Sequence, residues 1–248
     1  MDKGLDQQGR QANIDKLPSI IRNKGRIANN VYDTIKSSAE KYEVPQGAIP
    51  VILRMINAES EFDPVKARTE PDGKTSVGLG QIMPEVAKEL GFKPEDRFDP
   101  QKSAEMTVAY FGKLYKEAKQ VVSQSPLRNK AKQWHAFALT AMRYNGGNSY
   151  MSQDTLKRLI TGKRSSYRPK GVPDPREFTP WHLAKVFYGL VNLSKEQSKA
   201  RTQSRNRGTA DVDQRILDNY KAQMNQIMKA LGIDLTQMKQ LLNSKADY

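Results

Sequence analysis

Ile49, Ile52, Leu53 and Ile56 recur at i, i+3, i+4 and i+7, and Glu59 comes next on the same line. A helix turns once every 3.6 residues, so this spacing puts the apolar side chains on one face. Glu59 follows Ile52 by nearly two full turns, which leaves a carboxyl group at the end of an apolar stripe. Pro50 suits the first turn of such a helix, where its missing N–H costs nothing. Phe62-Asp63-Pro64 is expected to end it, because the residue before a proline resists helical angles. Glu61 then points to the opposite side.

The same periodicity makes the rest of the chain mainly helical. Ile27, Val31, Ile35 and Ala39 predict a helix over 26–42, broken by Val44-Pro45-Gln46-Gly47. Residues 1–25 are polar without clean periodicity and read as an extended or weakly helical arm. Pro71-Asp72-Gly73 and the glycines at 78 and 80 make 65–80 a loop or small hairpin. Pro84 opens a short helix stopped by Gly91. Asp99-Pro100 opens a longer one, with Ala104, Val108, Phe111 and Tyr115 on one face. A polar connector from Ser123 to Lys132 leads to a helix with Trp134, Phe137, Ala138 and Ala141 inward, closed by Asn145-Gly146-Gly147. Past Tyr150 the character changes. Residues 162–176 are rich in Gly, Pro, Lys and Arg. Leu183, Val186, Phe187 and Leu190 line another helix, and 194–210 is basic with almost no large apolar group. Ile216, Tyr220, Ile227 and Leu231 mark a terminal helix.

Cysteine is absent, which removes disulfide frameworks and thiolate metal sites. His135 and His182 are the only histidines and lack ligand spacing, so no metal site is expected. No phosphate-binding or dinucleotide-binding glycine loop occurs, and no acidic loop has EF-hand spacing. No cofactor is expected. The formal net charge of +14 favours a polyanionic partner: nucleic acid, an anionic envelope polymer or an acidic protein. No apolar leader core follows the amino terminus, and no run approaches the roughly 18 apolar residues of a spanning helix.

Three strings carry the chemistry. Burial raises a glutamate pKa by disfavouring the charged form, which suits Glu59 to protonate a leaving oxygen. By its stripe alone Glu59 is better read as an ordinary helix-end glutamate. Gln81 follows a glycine-rich turn that lets backbone approach a ligand, and its amide both donates and accepts. Met83 and Pro84 offer an apolar platform, or plain core and a helix start. Tyr144 and Asn145 offer hydrogen-bonding groups, or a helix C-cap beside a buried tyrosine. One acid near amides and aromatics is the equipment for protonating a glycosidic oxygen.

Glu59-Ser60-x-Phe62-x-Pro64, Gly78-Leu79-x-Gln81-Ile82-Met83-Pro84 and Ala141-x-x-Tyr144-Asn145-x-Gly147 occur in that order. A weaker block runs from Phe98-Asp99-Pro100 through Tyr110. With these blocks the chain resembles the soluble lytic transglycosylase family of the lysozyme-like superfamily, which includes goose-type lysozymes. The resemblance implies a mainly α, lysozyme-like catalytic domain over 45–150. An arm and helix over 1–44 precede it, and a basic helical C-terminal extension over 151–248 follows, flexible at 194–210. It implies cleavage of the β-1,4 bond from N-acetylmuramic acid to N-acetylglucosamine in peptidoglycan, with Glu59 as general acid and then base and a 1,6-anhydro product. Ser60, Gln81, Met83, Tyr110, Tyr144 and Asn145 match substrate-cleft positions. By analogy Tyr144 orients Glu59, while Gln81 and Asn145 hold substrate.

The chain departs from the family pattern at Gly80, where methionine is frequent, and at Ser103 and Thr107, where Asn and Gly are usual. The last two bear on how close that helix lies to the cleft. The stretch from Arg68 to Ser76 is longer and more polar than usual.

A rival enzyme on the same fold is a hydrolytic muramidase. It needs a second carboxylate to activate water, for which Asp63, Asp72 and Asp99 are available. The rival from another class is a catalytically silent wall-binding or structural protein. The C-terminal helices are expected to dock virion or envelope-assembly proteins, with anionic polymer bound at 194–210 or that strip serving as a solvated linker. The expected location is a bacteriophage particle component delivered to the host envelope, opening the wall during genome delivery. The alternative is the periplasm by a non-standard export route.

Overall fold

A computed structural model describes residues 5–69, 73–125, 129–146 and 214–234. Its architecture is mainly helical. The elements are α1 (Gln7–Asp15), α2 (Ser19–Lys41), a 3-10 turn (Gln46–Ala48), α3 (Ile49–Ser60), β1 (Ala67–Thr69), β2 (Thr75–Val77), α4 (Pro84–Glu89), a 3-10 segment (Pro94–Phe98), α5 (Pro100–Ser123), α6 (Asn129–Gly146) and α7 (Gln214–Ala230). β1 and β2 pair antiparallel, Ala67 opposite Val77 and Thr69 opposite Thr75. Among the described residues no helix is long and apolar enough to cross a membrane.

The described chain forms two compact units. The first holds the residues through Lys113 together with Ala222–Asp234, and the second holds those from Leu114 through Lys221. Within the first unit α3 is the central rod. Every residue from Ile49 to Asn57 is buried, on all sides of the helix and not on a stripe alone. A helix apolar all round belongs in a core. Arg54 lies inside it with no exposed surface.

Two expectations for the unit's periphery are corrected. Of the two readings of residues 1–25, extended or weakly helical, the helical one holds, since α1 and the start of α2 cover most of them, and they are packed and not a loose arm. Asp6 caps α1 by accepting from the Gly9 N–H at 2.7 Å, and Ile14 and Ile21 are buried. The pattern escaped an apolar search because a polar knot holds it. Arg10, 3% exposed, donates to Asn29 Oδ1 at 2.7 Å and to the Leu5 carbonyl at 2.8 Å. It also pairs with Asp33 and stacks over the Tyr32 ring. Arg10→Ala leaves the buried Asn29 Oδ1 and the part-buried Leu5 carbonyl unanswered and should cost about 2–4 kcal/mol in a urea unfolding curve. A loss no larger than a surface substitution would show that α1 is held some other way.

The second correction concerns α7. The terminal helix falls in the extension expected over 151–248, whose helices were expected to dock assembly proteins. Instead Ala222–Asp234 belongs to the first unit. Met224, Ile227, Met228 and Leu231 are buried, and Asn225 Oδ1 accepts from Arg54 Nη2 at 2.9 Å. Gly232, at φ +75°, ends α7 in the left-handed region, with Leu5 of the N-terminal segment 3.2 Å from where a Cβ would stand.

α5 is fastened to α2 at its start. Gln101 bonds Thr34 and donates to the Asn30 carbonyl, while Lys41 and Tyr42 both donate to Glu105 Oε1. In the second unit Tyr115 and Phe137 rings pack 5.3 Å apart, and Phe137, Ala138 and Ala141 are buried on α6 as the spacing predicts. The helix expected at 183–190, the basic strip at 194–210, Asp72 and the Trp134 side chain lie outside the described residues.

Candidate active site

Glu59 sits in the last turn of α3, half-buried, with its Oε1 withdrawn from solvent. Ile52 and Ile56, on the same face, have no exposed surface. Ser60 is buried, and its hydroxyl donates to the Ile56 carbonyl at 3.0 Å, so only its lone pairs remain for another group. Asn57 is 1% exposed, and its Oδ1 is buried with no hydrogen-bond partner among the described residues.

The helix does not end for the expected reason. It stops before the residue preceding Pro64, because Glu61 and Phe62 take left-handed angles, φ 58° and 63°. Such angles cost roughly 1–2 kcal/mol each for residues with a Cβ. Burial of the Phe62 ring and an ion pair from Lys24 to Glu61 at 2.7 Å hold the turn. The chain therefore reverses immediately after the acid. Glu61 is exposed, as its helical phase predicts.

The hairpin leads into the turn from Gly78 to Ile82. Gly78 has φ +82°, and a Cβ there would stand 2.1 Å from the Arg97 carbonyl oxygen and 2.6 Å from Ser103 Oγ. Only glycine satisfies both demands. The Gly78 N–H donates to the Lys66 carbonyl at 2.9 Å, and Ile82 and Val77 exchange backbone bonds. Gln81 adopts φ 49° and turns its amide inward. Its Nε2 donates to the carbonyls of Lys66 and Gly78, both at 2.9 Å, while Oε1 accepts from Ser76 Oγ at 3.3 Å. The amide orientation follows from its partners, since two carbonyls can only accept. Both amide hydrogens are spent on backbone, and only Oε1 retains capacity for a ligand. Gln81 was expected to hold substrate with donor and acceptor alike; its first task here is to close the turn.

Arg97 and Ser103 brace the same turn, and the spacing of apolar residues pointed to neither. Arg97 is 8% exposed. Its Nη1 donates to the Thr75 and Ile82 carbonyls, each at 2.9 Å, and its Nε to the Pro94 carbonyl. Burial pulls the guanidinium below its ordinary range and Glu85 opposes that shift; the group stays cationic. Ser103 Oγ accepts from the Leu79 N–H at 3.0 Å.

Met83 is half-buried at the cap of α4, and Tyr110 is half-buried on α5. Glu59, Ser60, Gln81, Met83 and Tyr110 thus share the first unit. Tyr144 and Asn145, half-buried near the end of α6, belong to the second.

Against this geometry, the model of the transglycosylase SLT domain family matches residues 33–164, a little over half of the chain. No match was found among curated proteins or among solved structures. The match contains every site string from Glu59 to Asn145. The first unit extends beyond it on both sides, through α1 and through α7. A mainly helical fold, a half-buried acid closing a buried helix and a braced glycine turn agree with that match, and the chain belongs to the SLT transglycosylase family of the lysozyme-like superfamily, whose activity is lytic transglycosylase-type cleavage of peptidoglycan.

Proposed function

We propose that this chain cleaves peptidoglycan with Glu59 as its single acid and base. The observation that carries the reading is the placement of Glu59, half-buried with Oε1 out of solvent, at the end of a helix buried from Ile49 to Asn57. Such a setting favours the protonated carboxyl. Glu59 donates its proton to the glycosidic oxygen, and the bond from C1 of N-acetylmuramic acid to that oxygen breaks. The carboxylate then takes the proton of the C6 hydroxyl as that oxygen attacks C1. The 1,6-anhydro ring closes, Glu59 is again protonated, and no water is consumed.

The hydrolytic alternative needs a second carboxylate. Asp63 and Asp99 are exposed and engaged in local capping, Asp63 Oδ1 accepting from the Val65 N–H and Asp99 Oδ1 from the Lys102 N–H. Their use as caps weighs against these two as the second carboxylate; Asp72 lies outside the described residues. Ser60, Met83, Tyr110, Tyr144 and Asn145 enter the proposal as substrate contacts through their motif positions. Gln81 enters through its remaining acceptor. Local opening of the wall by a virion-delivered enzyme is the role we attach to this activity; recovery of the chain in purified particles tests it. The apolar face of α7 is consumed within the first unit, so assembly contacts would use other surface.

Digestion of purified wall, followed by mass analysis of the released muropeptides, decides the chemistry. Products lighter by one water than hydrolysed ends are expected. Predominantly hydrolysed ends would assign the chain to the muramidases, and an unchanged wall would leave a binding protein.

A further inference from the structure

The turn that carries Gln81 has two external anchors, Arg97 and Ser103. Ser103 has no exposed surface. Its Oγ accepts the Leu79 N–H at 3.0 Å and lies 2.6 Å from the position a Gly78 Cβ would take. α5 therefore lies hard against the turn, and the Ser103 hydroxyl supplies an acceptor there. Its backbone is fixed in turn, the Ser103 N–H donating to the Asp99 carbonyl at 2.8 Å. On the far side of the turn, Gln81 bonds the Lys66 and Gly78 carbonyls.

We infer that Ser103 is a positioning residue: its hydroxyl fixes Leu79 and thereby sets where Gln81 Oε1 stands for substrate. This rests on the proposed cleavage of peptidoglycan. Removing the hydroxyl deletes the acceptor for a buried N–H, and that N–H can recover a partner only by a shift of the turn. Such a shift moves Gln81 without touching the acid, and displacements of an ångström are enough to slow an enzyme.

Thr107, one turn along α5, is the control. It is 1% exposed, and its hydroxyl donates to the Ser103 carbonyl at 2.7 Å within the helix, away from the turn. Ser103→Ala and Thr107→Val each remove one buried hydroxyl from the same helix. The full-length chain would be assayed on soluble glycan fragments well below its melting temperature, with hydrogen exchange of 76–83 followed in parallel. The expected result is that Ser103→Ala stays folded, exchanges faster at the turn and loses about tenfold in kcat/KM, while Thr107→Val matches wild type in both. Equal rates and equal exchange for the two variants would overturn the inference. So would unfolding of Ser103→Ala at the assay temperature, which would make Ser103 a fold residue only. A wild-type chain that cleaves nothing would strike the proposed activity instead, and the exchange comparison would still report whether Ser103 holds the turn.

Discussion

Glu59→Gln should abolish cleavage of purified wall while leaving the thermal midpoint unchanged or higher. Glutamine keeps the shape of the carboxyl but cannot give up or accept the proton that the reaction moves. A positioned acid–base group contributes about 10²–10⁴-fold to a rate, and here one group serves both half-steps, so a loss of about 10³-fold or more is expected. Stability moves the other way because α3 is buried around its whole circumference and Glu59 closes it half out of water. A neutral amide costs no more to hold there than a carboxyl that is charged for part of the time. Glu61→Gln is the matched control. Glu61 is exposed and pairs at the surface with Lys24, an interaction worth about 1 kcal/mol or less. That variant should cleave like wild type. If folded Glu59→Gln still clears wall at a comparable rate, another group is the acid and the assignment fails.

The residues around Glu59 show what sequence can and cannot carry. The burial of α3 was legible because apolar side chains at 49, 52, 53 and 56 announce a face by spacing alone. That the helix is buried all round was not, since Arg54 and Asn57 look like a polar face in the sequence. Arg54 finds Asn225, 171 residues away, and no local pattern encodes so distant a hydrogen bond. The turn after the acid shows the same limit. Glu61, Phe62 and Gln81 take left-handed angles without being glycine; tertiary packing imposes them against local preference. Gln81 was legible as a residue of interest from the glycines before it, but the direction of its amide depends on the Lys66 and Gly78 carbonyls, whose positions follow from the hairpin. Ser103 drew notice as a departure from the family pattern, and only the approach of α5 to Gly78 shows what the serine does. The helix over 26–42 was legible, but α1 and the first turns of α2 were not read as packed helices, because Arg10 and its acceptors stand where apolar residues usually do.

The longest-range of these interactions reverses an expectation about the C-terminus. By composition, the basic, core-poor segment 194–210 separates a catalytic part from a docking helix, so a chain ending near Ser194 ought to fold and cleave. The structure argues that it does neither. Such a chain lacks α7, and with it the burial of Met224, Ile227, Met228 and Leu231. Each such side chain is worth about 1.5–3 kcal/mol, so together they approach the roughly 5–15 kcal/mol that holds a domain folded. The loss also takes Asn225 from Arg54, leaving a fully buried guanidinium without that acceptor on the helix that carries Glu59. Removing one partner of a buried charge costs more than the bond was worth, because the charge stays behind. The truncated chain should therefore lose its cooperative melting transition and near-ultraviolet circular dichroism, and release no muropeptides from purified wall. If it melts cooperatively near the full-length temperature and cleaves at a similar rate, α7 is dispensable to the first unit. The apolar face of α7 would then be available to a partner after all.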